Sequence, residues 1–435
     1  MRALRLVIVV VVMFGSMAAF ATDARVESMG KSARYIMDDM SIFDNPANTS
    51  LYPNFLIGEL GVYRGNAKPG ENHDPWDPWF GGLFSLDISG GNAISIGGVL
   101  GRKDERLLKY FPDYILSNTG TLNETPIPIT NFDGFLGANL GNTAIGLHIY
   151  VAHQDGMTNE NDGHQITSDA FASAVQLDGG VNIELSSDYQ LEVAGGVARI
   201  QYGPSDHALF DSKLLSVFAN ARFFSRINAI DGHLIPVASF RKMNAPGRSE
   251  TDISAGMGVD TKFERGFFWL GLTGFYNVQK AGKNWEWGYG TDSTKGTIFK
   301  DLDDGGWGSG SSARLQQIGG IISFGIERNL WWDWFVMRVG GQKVIAYADY
   351  KKSDDAPNSV LCPSAPEYPC DGNGNYFLTN PVNDGTNEDN IGFGFGVNIE
   401  EKLKIDFTVA EDFPFRNPFQ GGGRLINKIS ATYSF

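Results

Sequence analysis

The chain has 435 residues and carries 50 acidic against 35 basic side chains, a formal net charge of −15 at pH 7. So acidic a chain has no electrostatic attraction to nucleic acid, and we expect no nucleic-acid partner. Glycine (54 residues) and aromatic residues (30 Phe, 15 Tyr and 9 Trp) are abundant. This composition disfavours helices and favours strands and bilayer interfaces. No linker divides the sequence, which favours one large all-β unit.

Residues 1–21 have the pattern of a secretory signal peptide. Arg2 and Arg5 precede an apolar run from Leu6 to Phe14, and Ala19-Phe20-Ala21 fits the small-x-small cleavage pattern. A membrane anchor is the alternative interpretation, but the run is short and polar sequence follows it. No other segment reaches the roughly 18 continuous apolar residues that a spanning helix needs. We therefore expect cleavage after Ala21, export, and membrane insertion by strands.

Residues 22–53 do not alternate and precede the first predicted strand. They contain Met29-Gly30, the acidic pair Asp38 and Asp39, and the element Asn45, Pro46, Ala47. This stretch resembles the N-terminal segment of the FadL/TodX family of outer-membrane transporters for long-chain fatty acids and hydrocarbons, and of related PorV-like barrels. The resemblance implies a plug, or hatch, that folds back into the lumen. A periplasmic tail is the alternative that the residues leave open.

From Phe55 to Phe435, apolar and polar residues alternate in about sixteen segments, each of which predicts a strand. Members of the family that this chain resembles commonly have fourteen strands, so fourteen is the alternative number. Short connections alternate with long ones, which is typical of outer-membrane barrels. We therefore predict a transmembrane antiparallel up-and-down β-barrel over residues 54–435, with long loops extracellular and both termini periplasmic. A soluble β-sandwich or propeller is the alternative. The predicted tight turns lie around Gly90-Gly91, Gly141-Asn142, Ser187-Asp188, Ala229-Asp231, Arg265-Gly266, Arg328-Asn329 and Glu401.

Charged residues within these segments fall on the row opposite the apolar one. Water and opposite charges solvate such groups in a barrel lumen, whereas lipid does not. We therefore predict that the following side chains line the lumen: Glu184, Glu192, Arg222, Arg241, Asp252, Asp260, Lys262, Arg338, Lys404 and Asp406.

Aromatic residues gather at the predicted tight turns, where amphipathic rings favour the headgroup level. The last segment ends on Phe435, which we expect to lie at the bilayer interface. The predicted members of this girdle are Tyr189, Phe267, Phe268, Trp269, Trp331, Trp332 and Trp334.

Two long loops carry further signals. Cys362 and Cys370 are the only cysteines, and a close pair in an exported loop predicts a disulfide. The loop near residue 110 contains an apolar cluster that either offers a capture surface to a ligand or packs onto the barrel mouth. The cluster comprises Leu107, Leu108, Tyr110, Phe111, Tyr114, Ile115 and Leu116.

Nothing in the sequence predicts catalysis. The six histidines are scattered, and neither a nucleophile elbow nor a zinc-protease motif is present, so we expect no enzyme activity, cofactor or metal. The expected function is passive transport across the outer membrane, of hydrophobic small molecules such as long-chain fatty acids. A PorV-like barrel for docking or secretion is the alternative. Expected partners are outer-membrane lipid and lipopolysaccharide, the hydrophobic ligand and the barrel assembly machinery.

Overall fold

The structure is a computed structural model that describes residues 23–30, 33–61, 78–89, 91–108, 110–111, 114–116, 122–124, 128, 130–161, 164–204, 210–211, 215–245, 248–281, 312–353, 375–378, 390–400, 402–409 and 426–435. The N-terminal segment (residues 23–53) holds the helix Asp23–Ser28 and the 3-10 helices Ala33–Tyr35, Asp39–Phe43 and Pro46–Ser50. The helix Glu105–Leu108 and the 3-10 helix Asn228–Ile230 follow. Among the described residues, no helix has the length and apolar character of a membrane span.

Strands make up most of the remaining described chain. In chain order they are β1 Phe55–Gly61, β2 Trp79–Ser89, β3 Asn92–Leu100, β4 Tyr114–Leu116, β5 Leu122–Glu124, β6 Thr130–Leu140, β7 Thr143–Asn161, β8 His164–Ser186, β9 Tyr189–Pro204, β10 Phe210–Asp211, β11 Ser216–Ile227, β12 Gly232–Ala245, β13 Arg248–Phe263, β14 Gly266–Ala281, β15 Ser312–Asn329, β16 Phe335–Ser353, β17 Asn375–Leu378, β18 Asn390–Ile399, β19 Leu403–Val409 and β20 Ile426–Ser434.

Sixteen of these strands form one closed antiparallel barrel, which confirms the predicted fold. Each pairs with its neighbours in sequence, and β4, β5, β10 and β17 stand outside the series. The ring closes between the first and last strands, from the pair Phe55 and Ser434 to the pair Gly61 and Lys428. β7 and β8 have 19 and 23 residues, and they pair with each other as far as Asn161 and His164, beyond the last pairs that they form with β6 and β9.

Six of the seven predicted tight turns lie where consecutive barrel strands connect; Arg328 and Asn329, predicted as the seventh, end β15, and the reversal follows them. Most of the turns use a residue with positive φ, which lets the chain reverse within two to five residues. These residues are Gly91, Gly141, Asp231, Arg265, Trp331 and Glu400. The turn between β15 and β16 is the longest and spans residues 330–334.

On most barrel strands one row of side chains is apolar and more exposed than the alternate row, which faces inward. In β1, Phe55, Ile57 and Glu59 are buried, whereas Leu56 and Leu60 are each 46% exposed. An exposed apolar row repeated around a closed barrel is the lipid-facing surface of an outer-membrane protein. Further members of this row include Phe80, Ile96, Leu147, Leu272 and Ile322.

The girdle prediction is wrong for Trp269, which is fully buried. Its ring stacks on that of Tyr35 in the N-terminal segment, with 5.8 Å between centroids. Phe267 belongs to the same cluster. The reason is strand parity, because the odd-numbered residues of β14 form its inward row. Trp331, Trp332 and Trp334 lie within the turn itself and are exposed.

Candidate functional site

The inner wall carries glycine wherever the N-terminal segment approaches most closely. A Cβ added at Gly180 would clash with the Asn45 side chain, and one at Gly146 with the Pro46 backbone. These positions therefore admit the segment only because they lack a side chain. We call the set the wall glycines: Gly137, Gly146 and Gly180 against Asn45 to Thr49, Gly256, Gly258 and Gly271 against Tyr35, and Gly340, Gly392 and Gly394 against Glu27 to Gly30.

The element Asn45-Pro46-Ala47 starts the last 3-10 helix of the segment. Asn45 is extended (φ −141°), as a residue before proline should be, and its Oδ1 accepts a hydrogen bond from the Ala47 N–H at 3.1 Å. Its Nδ2 donates to the Val181 carbonyl of β8 at 3.3 Å. The sequence thus fixes a bend at Pro46 and a contact with the wall in the same three residues.

A buried ion pair on the wall binds the segment at two further points. Arg222 donates to Glu192 Oε2 from Nε at 2.9 Å and from Nη2 at 2.6 Å. The same Glu192 oxygen accepts from Asn48 Nδ2 at 3.3 Å, and Arg222 Nη1 donates to the Ile36 carbonyl at 3.2 Å. Because removal of one member would leave a buried charge unpaired, this group is a rigid attachment for the segment.

A second charged group holds the start of the segment. Arg25 Nε donates to Glu327 Oε2 at 2.7 Å, and Arg338 Nε donates to the same oxygen at 2.6 Å. Arg338 also reaches Asp406 Oδ1 at 2.6 Å. Two guanidinium groups and two carboxylates therefore alternate from the N-terminal helix (Arg25) across β15, β16 and β19, with matched charge.

The carboxyl groups of Asp38 and Asp39 are buried in the middle of the segment. Asp38 Oδ1 accepts from the Ser41 N–H at 3.1 Å, and Asp39 Oδ2 accepts from Thr432 Oγ1 at 3.3 Å. Among the described residues, the second oxygen of each carboxyl has no hydrogen-bond partner. Burial raises the pKa of Asp38 to about 7 despite nearby guanidinium groups, and burial together with the Asp38 charge raises the pKa of Asp39.

The loop after β3 also bonds to the inner wall. Arg102 forms a bidentate pair with Asp133, with Nε to Oδ2 at 3.0 Å and Nη2 to Oδ1 at 2.5 Å. Arg106 pairs with Asp104 and with Asp44 of the N-terminal segment, the shortest bond to each being 2.8 Å. Although burial opposes ionisation, these arginines hold the pKa of Asp104 below its usual range.

His148 lies between two carboxylates beneath this loop. Its Nδ1 is 2.7 Å from Asp178 Oδ2, its Nε2 is 2.9 Å from Asp133 Oδ1, and its ring stacks on Phe135. With both ring nitrogens engaged, His148 has no nitrogen left for a substrate proton in this arrangement. It therefore acts as a polar contact of the wall.

The described part of the loop's apolar cluster packs against the inner wall, whereas the side chains of Tyr114, Ile115 and Leu116 lie outside the described part of the chain. Leu107, Leu108 and Tyr110 are at most 6% exposed. They share one cluster with wall residues of β7, β8, β9 and β12. The Tyr110 hydroxyl also donates to Glu250 Oε2 at 2.7 Å. The wall members of this cluster are Tyr150, Ala152, Ala174, Ala198, Ile200, Tyr202, Met243 and Ala245.

The ten residues predicted to line the lumen all occupy inward-row positions. Glu192, Arg222, Asp252, Arg338 and Asp406 are buried; Arg241, Asp260 and Lys404 are half-buried; Glu184 and Lys262 are exposed near tight turns. Asp260 contacts His233 Nδ1 at 3.0 Å, and Arg241 lies opposite Asp252 in the β12–β13 register. Sequence reasoning missed Glu327, Asp133 and Asp178, although inward parity would have identified all three. Cys362 and Cys370 lie outside the described residues.

Comparison with protein-family models and with curated protein sequences gave no match. Comparison with solved structures gave matches, and the following three all have low sequence identity to this chain. CdiB from Escherichia coli has a TM-score of 0.42 and 11% identity over 87% of this chain, which spans 63% of the length of CdiB. The CymD monoaromatic hydrocarbon channel has a TM-score of 0.39 and 10% identity, over 96% of this chain and 99% of CymD. A Pseudomonas aeruginosa FadL homologue has a TM-score of 0.39 and 13% identity, over 95% of this chain and 98% of the homologue.

Proposed function

We propose that this barrel is a passive channel of the outer membrane for hydrophobic small molecules such as long-chain fatty acids. The N-terminal segment is its plug, the long loops are extracellular and both termini are periplasmic. The observation that carries the proposal is the fit between the segment and the wall glycines. The segment contacts inward rows of β6, β7 and β8, of β13 and β14, and of β16 and β18, so it occupies part of the interior that an open porin leaves to water.

The apolar cluster under the β3–β6 loop supports a hydrophobic solute. Interiors of membrane barrels are polar, because water fills them. Here the inward rows of β7, β8 and β9 carry Ala152, Ala174 and Ala198 instead, all at most 2% exposed. An apolar region inside the barrel lowers the free energy of an apolar molecule that enters from water.

Dye uptake by intact cells tests the proposal, because lipopolysaccharide slows hydrophobic compounds that cross phospholipid readily. Expression in a Gram-negative host should increase the entry rate of N-phenyl-1-naphthylamine several-fold over cells with the empty vector. Variants are compared at equal amounts of folded barrel in the outer membrane. Cells that express Gly179→Ala, a change on the lipid-facing row, should match the wild type. No increase over the vector would refute transport, and specific co-purification of cell-surface proteins would then favour the docking alternative.

A further inference from the structure

Asn131 is a buried amide at the edge of the apolar cluster. It is 3% exposed, and within the described part of the chain neither its Nδ2 nor its Oδ1 has a hydrogen-bond partner. It belongs to the inward row of β6 and lies opposite Ala152 in the β6–β7 register. Buried polar groups are nearly always paired, so an amide with a donor and an acceptor both unused indicates a missing partner.

Next to Asn131 the wall is flat and apolar. Ala152 lies opposite Ala174 in the β7–β8 register, and Ala198 lies on the inward row of the next strand. We call these three residues the alanine floor. Their small methyl groups belong to the same buried apolar cluster as the loop side chains Leu107 and Leu108. The apolar side chains next to the alanine floor are therefore supplied by the loop of the same chain.

The charged groups beside the floor are already matched. Arg102 pairs with Asp133, and Arg106 pairs with Asp104. An ionised ligand would disturb these pairs, whereas a neutral one would leave them intact. A hydroxyl group donates and accepts at once, which complements both halves of a carboxamide.

We propose that the alanine floor and Asn131 bind a neutral small molecule with an apolar body and one hydroxyl group, such as a phenol or an alcohol. The ligand replaces Leu107 and Leu108 over the floor and hydrogen-bonds to the Asn131 amide. This assignment rests on the proposed transport function and names the solute class that it favours.

Binding of two probes to the purified full-length protein tests the assignment. In wild type, 1-naphthol should bind about tenfold more tightly than naphthalene, because only 1-naphthol satisfies the buried amide. Asn131→Leu should remove this preference by weakening 1-naphthol alone. Asn139→Leu changes an inward-row asparagine of the same strand, far from the floor, and should preserve it. Each affinity is expressed against the free aqueous concentration of that probe, measured in protein-free micelles of the same detergent, because the two probes partition into micelles to different extents.

A second variant addresses the loop. The double change Leu107→Ala, Leu108→Ala should tighten binding of both probes, because it removes the side chains with which they compete. Equal affinity of the two probes in wild type, or an unchanged ratio in Asn131→Leu, would overturn the assignment. If either result is found while dye uptake still exceeds that of cells with the empty vector, the transport proposal stands and only the solute class is wrong. Dye uptake equal to that of cells with the empty vector would refute transport itself.

Discussion

Arg106 of the loop after β3 donates to Asp44 of the N-terminal segment over 2.8 Å. Its Nη2 also donates to the Phe43 carbonyl at 3.4 Å. The two elements that pack against the inner wall are therefore bonded to each other as well as to the strands. A displacement of the loop would be transmitted directly to the segment.

Loss of this bond should loosen both elements. We expect Arg106→Ala to increase the frequency of brief openings in planar bilayers, because it removes the contact with Asp44 and one partner of buried Asp104. Arg226→Ala provides the control, since Arg226 pairs with Asp231 at an exposed turn. Identical opening frequencies in the two variants would show that the loop and the segment move independently.

A single methyl group should displace the segment. Gly180→Ala would place its Cβ against the Asn45 side chain, whereas Gly179→Ala meets only ordinary contacts beyond 3.7 Å. Both variants should form heat-modifiable barrels, because neither change removes a backbone hydrogen bond. Only Gly180→Ala should raise single-channel conductance. Equal conductance of these adjacent variants would mean that the Asn45 contact does not hold the channel closed.

Channel closure should depend on pH through Asp38. Burial raises its pKa from the ordinary 3.8 to about 7, so the bound segment takes up a proton more readily than a released one. The stabilisation of the bound segment by protonated Asp38 is present in full below the ordinary pKa of 3.8, and it is lost as the pH rises through about 7. We therefore expect open probability to increase between about pH 4 and pH 7 and to level off above that range.

Asp38→Asn should flatten that pH profile. The amide oxygen of the new side chain can still accept the hydrogen bond from the Ser41 N–H, but the amide group does not ionise. Single-channel recording across the pH range provides the measurement. A profile as steep as that of wild type would assign the titration to another group.

The C-terminal aromatic residue should affect insertion and not export. Phe435 is 53% exposed, packs on Phe84 with 5.6 Å between ring centroids, and donates its N–H to the Asn54 carbonyl. Phe435→Lys should lower the fraction of heat-modifiable barrel in the outer membrane several-fold, whereas Phe435→Trp should preserve it. Unchanged mobility of the lysine variant would contradict an anchoring role.

The barrel could be predicted from sequence because strand periodicity is a local signal. Alternation places Leu56 and Leu60 outward and Glu59 inward without knowledge of any partner strand. The tight turns are equally local, since residues such as Gly91 and Gly141 adopt the positive φ that a short reversal needs. Strand number, closure and connection lengths follow from these two signals.

The contacts inside the barrel could not be predicted, because they join residues far apart in sequence. Arg25 and Glu327 are 302 positions apart, and nothing local to either residue indicates the other. Trp269 differs, because the parity of β14 already places it on the inward row, and only its stacking on Tyr35 is a long-range contact. The wall glycines follow the path of the N-terminal segment, but a glycine within a strand gives no local indication of which distant backbone approaches it.

Conductance of the barrel without residues 22–48 tests the central claim most directly. The interstrand hydrogen bonds do not involve these residues, so the truncated chain should still fold to a heat-modifiable barrel. If the segment closes the lumen, conductance in planar bilayers should rise from near zero to that of a wide, water-filled channel. Equal conductance with and without the segment, in barrels of equal heat modifiability, would contradict the claim.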